Sequence, residues 1–141
     1  MSSWIIIEDE ESLYDMLLTM TELFGVEGIP FADGDTAVDW LDDVDQGLHA
    51  GQLPVLALVD QRLPGKFQGD MVGERIRQSK KLSHIAIVLM TAYRLTKEQE
   101  DEVMKKAGAD ALVYKPLPRL RDFRTMLENI IEKRGLSVPK E

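Results

Sequence analysis

Four apolar runs in this chain each give way to a side chain that could do chemistry. Val55-Leu56-Ala57-Leu58-Val59 ends in Asp60, and Trp4 to Ile7 ends in Glu8-Asp9. Ile85 to Met90 ends in Thr91-Ala92, and Ala111 to Tyr114 ends in Lys115-Pro116. Carboxylates gathered at one place repel one another unless a cation sits among them. Hard oxygen donors without histidine or cysteine suit magnesium, which keeps some of its waters and favours sites that a phosphate completes. Each residue alone has a plainer role. Asp60 alone reads as a turn former or helix cap, Thr91 as a helix-entry hydroxyl, and Lys115 as a solvated charge. Glu8-Asp9-Glu10-Glu11 alone reads as an acidic helix start, and that is all we assign to Glu10 and Glu11. The joint pattern carries the case.

The elements that must position these residues follow from periodicity. Val55 to Val59 reads as a strand buried on both faces, with Pro64-Gly65 turning the chain after it. In a parallel sheet all four strand ends meet at one edge, where open α/β sheets place their ligand crevice. Between the strands the period becomes helical. Leu13, Met16, Leu17, Met20, Leu23 and Phe24 form one stripe, stopped by Gly25. Val26 to Phe31 is a weaker strand, and Pro30 assigns it to a sheet edge. Asp33-Gly34-Asp35 reads as a turn, and Ala37, Val38, Leu41, Val44 and Leu48 give a second helix. A polar connection then runs from Gly47 to Pro54. A third helix runs from about Gly69 to Ser79, with Met71, Val72 and Ile76 inward. Thr96-Lys97-Glu98-Gln99 is a capping box opening a fourth helix, whose thin stripe is Val103, Met104 and Ala107. Gly108 ends it. Pro118 suits the first turn of a last helix with the stripe Leu120, Phe123, Met126, Leu127, Ile130 and Ile131. Gly135 to Glu141 is expected to be a frayed tail.

Composition narrows the classes further. At 141 residues the chain suits one domain with a core that needs no staples. It has no cysteine, which excludes disulfides and thiolate metal sites. No apolar stretch reaches the length of a membrane span, and Trp4 to Ile7 is too short for a signal peptide, so a cytoplasmic location is expected. A net charge of −8 argues against nucleic-acid binding, and Arg119, Arg121 and Arg124 lie on an ordinary solvated helix face. His49 and His84 match no motif and are assigned surface or loop roles; Trp40 is assigned a partly buried helix position.

The constellation resembles the receiver domain of two-component response regulators over residues 4 to 134, with several motifs agreeing in order and spacing. The resemblance implies an α/β fold: a doubly wound, five-stranded parallel sheet in the order 2-1-3-4-5, flavodoxin-like, with residues 1–141 as a single domain. It implies that Asp60 takes a phosphoryl group from the phosphohistidine of a sensor histidine kinase or phosphotransfer protein. Asp9, Asp60 and the main-chain carbonyl of Arg62 would ligate Mg2+, or another divalent cation such as Mn2+, with Glu8 acting through water. Lys115 would supply a positive charge to the phosphoryl oxygens. Thr91 would bond the phosphoryl group after transfer, and small Ala92 would leave it room. Arg62 and Tyr93 match positions that line the entrance to the site. Lys115-Pro116 matches a pair whose peptide bond is usually cis. Output would pass to a downstream protein target or output domain, or to a homodimer through the face made by the fourth helix, last strand and last helix.

Three departures from the family pattern stand out. Glu8 is one methylene longer than the aspartate often found there. The loop Gly65-Lys66-Phe67-Gln68-Gly69 is one residue longer than usual. Leu112 occupies a switch position where many receivers carry tyrosine or phenylalanine, whereas Tyr114, two residues on and on the same face by strand alternation, does not match the motif. A haloacid-dehalogenase-type phosphatase would need a carboxylate where Arg62 stands. A flavodoxin-like cofactor binder would need a hydroxyl- and glycine-rich loop where Glu8 to Glu11 stand. The alternative that survives is a protein-interaction module on a receiver fold that works without phosphorylation.

Overall fold

The computed structural model describes residues 2–138. Strands and helices alternate: β1 (Ser3–Ile7), α1 (Glu11–Leu23), β2 (Glu27–Phe31), α2 (Gly34–Asp45), β3 (Leu56–Asp60), α3 (Gly69–Arg77), β4 (Ala86–Thr91), α4 (Lys97–Ala107), β5 (Ala111–Tyr114) and α5 (Leu120–Lys133). All neighbouring strands pair in parallel, in the order β2-β1-β3-β4-β5. This is the doubly wound, flavodoxin-like fold, in the strand order that the resemblance implied.

Strand alternation divides the core in two. Ile5, Ile7, Ala57, Val59, Ile87 and Leu89 point to one face and meet Val38 and Leu41 of α2 and Val72 and Ile76 of α3. Trp4, Ile6, Leu56, Leu58, Val88 and Met90 point to the other and meet Leu17 and Met20 of α1 and Phe123, Leu127 and Ile131 of α5. The three central strands are buried on both faces, which is why they read as continuous apolar runs. Pro30 sits in the outer strand β2, where its missing N–H costs no ladder bond.

Helix ends follow their local chemistry. The Glu10 carboxylate caps α1 by accepting from the N–H groups of Ser12 and Leu13, and Gly25 (φ 70°) turns the chain after it. Asp33 is the N-cap of α2, so Gly34 and Asp35 open that helix rather than forming a separate turn. The capping box at Thr96 and Gln99 is formed, and Gly108 closes α4 in the left-handed conformation.

Several apolar residues assigned to buried stripes lie outside. Met16, Leu23, Leu48 and Leu120 are exposed. Leu48 falls beyond α2, which ends at Asp45 before Gly47 turns with φ 79°. Met71 is only half-buried, and α3 stops at Arg77, two residues short of Ser79. Pro118 precedes the N-cap Arg119 and so stands just before α5 rather than in its first turn. Leu136 and Val138 pack against the α1/α5 side, and the Leu136 N–H donates to the Ile131 carbonyl. That part of the expected frayed tail is therefore docked, and residues 139–141 lie outside those described. The connection from α2 to β3 (46–55) approaches the sheet at the amino ends of the strands, with exposed Gly51 at φ 109°. Among the described residues, no helix is long and apolar enough to cross a membrane.

Candidate functional site

The carboxyl ends of β1, β3, β4 and β5 bring the chemistry-bearing residues to one edge. Asp60 is the last residue of β3 and Thr91 the last of β4, while Glu8 follows β1 and Lys115 follows β5. Glu8, Asp60 and Thr91 are buried, and Asp9 is exposed at the mouth. One carboxylate oxygen from each of Glu8, Asp9 and Asp60 falls within 4.8 Å of the others. The Lys115 Nζ donates to Glu8 Oε1 at 2.7 Å and lies 3.3 Å from Asp60 Oδ1. The second Glu8 oxygen accepts from the Glu10 N–H at 3.1 Å. The added methylene of Glu8 therefore reaches the lysine.

Electrostatics follow from this crowding. Burial raises the Asp60 carboxyl, the neighbouring Glu8 charge raises it further, and Lys115 offsets only part, leaving its pKa at about 7. Burial pulls the Lys115 ammonium down, but the Glu8 hydrogen bond and the charges of Asp60 and Glu8 outweigh it and hold it above its ordinary value. Three hard oxygen donors, one of them reluctant to ionise, suit an oxygen-seeking divalent cation.

The backbone around Asp60 is pinned from several sides. A side chain at Gly69 would strike the Asp60 carbonyl, so only glycine lets the start of α3 lie there, with its N–H donating to the Gln61 carbonyl at 2.9 Å. The Asp35 carboxylate, in the first turn of α2, accepts from the N–H groups of Lys66 (3.0 Å) and Phe67 (2.9 Å). The Gln68 amide closes the loop by bonding both main-chain groups of Leu63. The long loop that carries Arg62 is thus anchored. Asp35 and Gln68 had no sequence signal beyond a helix-start carboxylate and a loop amide, since their partners lie on loop backbone.

The remaining site residues divide by location. The Arg62 guanidinium lies 4.0 Å from the centroid of the Tyr93 ring, so the two exposed side chains stack across from one another. The Thr91 hydroxyl accepts from the Tyr93 N–H at 3.1 Å, and Ala92 between them is exposed. The Lys115 N–H donates to the Thr91 carbonyl at 2.8 Å, and Lys115-Pro116 is cis. Leu112 stands apart, half-buried against the cluster beneath α2 and α3. His49 packs edge-on against the half-buried Trp40, and His84 is exposed.

No family model and no curated protein matches the chain. Solved structures do. A CheY-like response regulator receiver domain protein from Methanospirillum hungatei JF-1 superposes with a TM-score of 0.78 at 20% identity, covering 96% of this chain and 97% of that one. The receiver domain of the sensor histidine kinase PA1611 from Pseudomonas aeruginosa PAO1, with magnesium coordinated in its active-site cleft, gives 0.75 at 22%, covering 93% and 98%. The Vibrio cholerae chemotaxis protein CheY4 gives 0.76 at 18%, covering 92% and 98%. The chain has the fold of CheY-like receiver domains.

Proposed function

We propose that this chain is a single phosphoacceptor receiver domain, working in the cytoplasm, in which Asp60 takes a phosphoryl group from a phosphohistidine of a sensor histidine kinase or phosphotransfer protein. The observation that carries the reading is the convergence of Glu8, Asp9 and Asp60 within 4.8 Å, with the Lys115 ammonium at 3.3 Å from Asp60. Asp9, Asp60 and the Arg62 main-chain carbonyl would hold Mg2+ or Mn2+, with Glu8 acting through water. When bound, the cation neutralises charge on the carboxylates and on the incoming phosphoryl oxygens.

An Asp60 oxygen attacks phosphorus as the donor's P–N bond breaks, and the electron pair of that bond stays on the imidazole nitrogen. Transfer of this kind asks the protein mainly for alignment and charge stabilisation. Gly69 and the anchored loop fix the Asp60 backbone and so its line of attack. Lys115 turns from Glu8 towards the new phosphoryl oxygens, a short movement because it already touches both carboxylates. The Thr91 hydroxyl exchanges its bond from the Tyr93 N–H for one donated to the phosphoryl group. Ala92 leaves the approach open. The downstream effect passes to a protein target or attached output domain, or to a homodimer through the α4-β5-α5 face.

The test is intact mass after incubation with phosphoramidate or acetyl phosphate. One phosphoryl group should appear in the presence of magnesium, and none in Asp60→Asn or after chelation. Unmodified wild-type protein with magnesium present would favour the interaction-module alternative.

A further inference from the structure

The peptide unit between Arg62 and Leu63 carries the carbonyl that the proposed cation site needs, and the same plane carries the Leu63 N–H. Lys115-Pro116 is the one cis bond among the described residues, so this unit is trans. In a trans peptide the N–H and C=O point in opposite directions, and fixing one aims the other. The Leu63 N–H donates to the Gln68 Oε1 at 3.1 Å, and the Gln68 Nε2 donates to the Leu63 carbonyl at 2.7 Å. Each end of that amide meets the main-chain group it is able to bond. The Arg62 carbonyl therefore faces away from the Gln68 side chain.

Half-buried Gln68 does this in place of capping a helix. It stands at the N-cap of α3 yet makes no side-chain cap bond there, a role that a shorter polar side chain would fill. On the other side of Arg62, the Gln61 N–H donates to the Met90 carbonyl at 2.8 Å, and the Gln61 carbonyl accepts from the Gly69 N–H at 2.9 Å. Arg62 is thus flanked by held peptides, and Gln68 supplies the bond that orients the unit between Arg62 and Leu63. Asp35 works farther along the loop, on the N–H groups of Lys66 and Phe67. A side chain at Gly65 (φ 87°) would come within 2.9 Å of that carboxylate, so the lengthened loop lies tight against α2.

We propose that Gln68 is a positioning residue for the cation: its amide aims the Arg62 carbonyl, while Asp35 only keeps the loop in place. The proposal rests on the phosphoacceptor reading. A carbonyl already aimed gives up less freedom on binding than one that must first be turned. Magnesium demands near-octahedral ligands at short range and parts with water reluctantly, so a misdirected carbonyl loses its place to water. Groups that orient a ligand without touching the metal typically change its affinity about ten- to a hundredfold when removed.

Mn2+ binding to the unphosphorylated protein, read from the electron paramagnetic resonance signal of the free ion, tests this without any phosphoryl transfer. Gln68→Met keeps the length and removes both polar groups, whereas Gln68→Asn keeps the amide and lacks the reach. Each should bind Mn2+ about tenfold more weakly than wild type. Asp35→Ala removes two bonds from the same loop but leaves Gln68 on Leu63, and should lose less than about threefold, since it touches neither a ligand nor the ligand's peptide. Thermal melts in chelator show that each variant folds and separate lost stability from lost affinity. Wild-type affinity in a folded Gln68 variant would overturn the proposal. An equal loss in Asp35→Ala would overturn it too, leaving Gln68 one of several fasteners of the loop. Asp60→Asn checks the place of binding and should abolish it. If Mn2+ fails to bind wild type, or binds Asp60→Asn unchanged, the cation-assisted phosphoacceptor reading fails and the proposal with it. Normal wild-type binding with unchanged Gln68 variants removes the role of Gln68 alone.

Discussion

Replacing Asp60 by asparagine should stabilise the metal-free protein, and the pH dependence of that gain is the sharper part of the prediction. The Asp60 carboxyl is raised to about 7 in the folded chain by burial and by the Glu8 charge, from an ordinary 3.8. Between those two values the folded state binds more protons than the unfolded one, so stability falls as pH rises. The contribution is full below about pH 4 and lost once pH has passed 7. Ionising a carboxyl so displaced costs the fold on the order of 4 kcal/mol. Relaxation of the site offsets part of this in wild type, which leaves about 2 kcal/mol for asparagine to recover at pH 8. Lys115 keeps its 2.7 Å partner Glu8, so the change strands no buried ammonium. At the usual entropy of about 2.1 cal/mol/K per residue, 2 kcal/mol over 141 residues is a rise of about 6–7 °C in melting temperature. Thermal melts in chelator at pH 8 and pH 5 provide the assay. By pH 5 less than half of the advantage should remain. A variant that melts at or below wild type at pH 8, or whose advantage is the same at both pH values, would refute the crowded-carboxylate reasoning.

Other outcomes follow from the same geometry. Magnesium at a hundredfold its dissociation constant should stabilise wild type by about 2.7 kcal/mol and Asp60→Asn by much less, read from melts with and without metal. Arg62→Ala and Tyr93→Ala should each shorten the aspartyl-phosphate half-life about two- to fivefold, the worth of one exposed cation–π contact screening the attacking water. Unchanged or longer half-lives in both would end that idea. Gly69→Ala should cost about 1–3 kcal/mol in urea unfolding and weaken magnesium binding, since the added methyl meets the Asp60 carbonyl. A fully stable variant would show that the loop gives way easily.

The legible part of this molecule was what depends on strands. Four apolar runs, each ended by a residue of the candidate site, placed Glu8, Asp9, Asp60, Thr91 and Lys115 at one sheet edge, and the edge position of β2 followed from Pro30. What escaped depends on where helices stop and on reach. Leu48 and Leu120 continue an apolar period, but the helix ends before one and barely begins at the other, so period alone buries residues that solvent touches. The extra methylene of Glu8 looked like a variation on a metal contact, yet it carries an oxygen to Lys115 across 107 positions of sequence. Alternation put Tyr114 on the correct face, but nothing local indicated that its hydroxyl would span to Glu100. Side-chain hydrogen bonds between elements are set by tertiary distance, which periodicity does not encode.

The long connection between α2 and β3 enters the sheet at the amino ends of the strands, while Asp60, Thr91 and Lys115 stand at the carboxyl ends. Gly51, near its middle, is exposed and has no atom within 4 Å of where a side chain would begin. A parallel sheet thus segregates its loops, one rim carrying the candidate site and the other only joining elements. A fluorescent protein or affinity module spliced at Gly51 would hang from the opposite rim, with the length of the strands between it and the candidate site. The architecture thereby offers a place to attach a reporter of conformation without editing the rim that carries the candidate site.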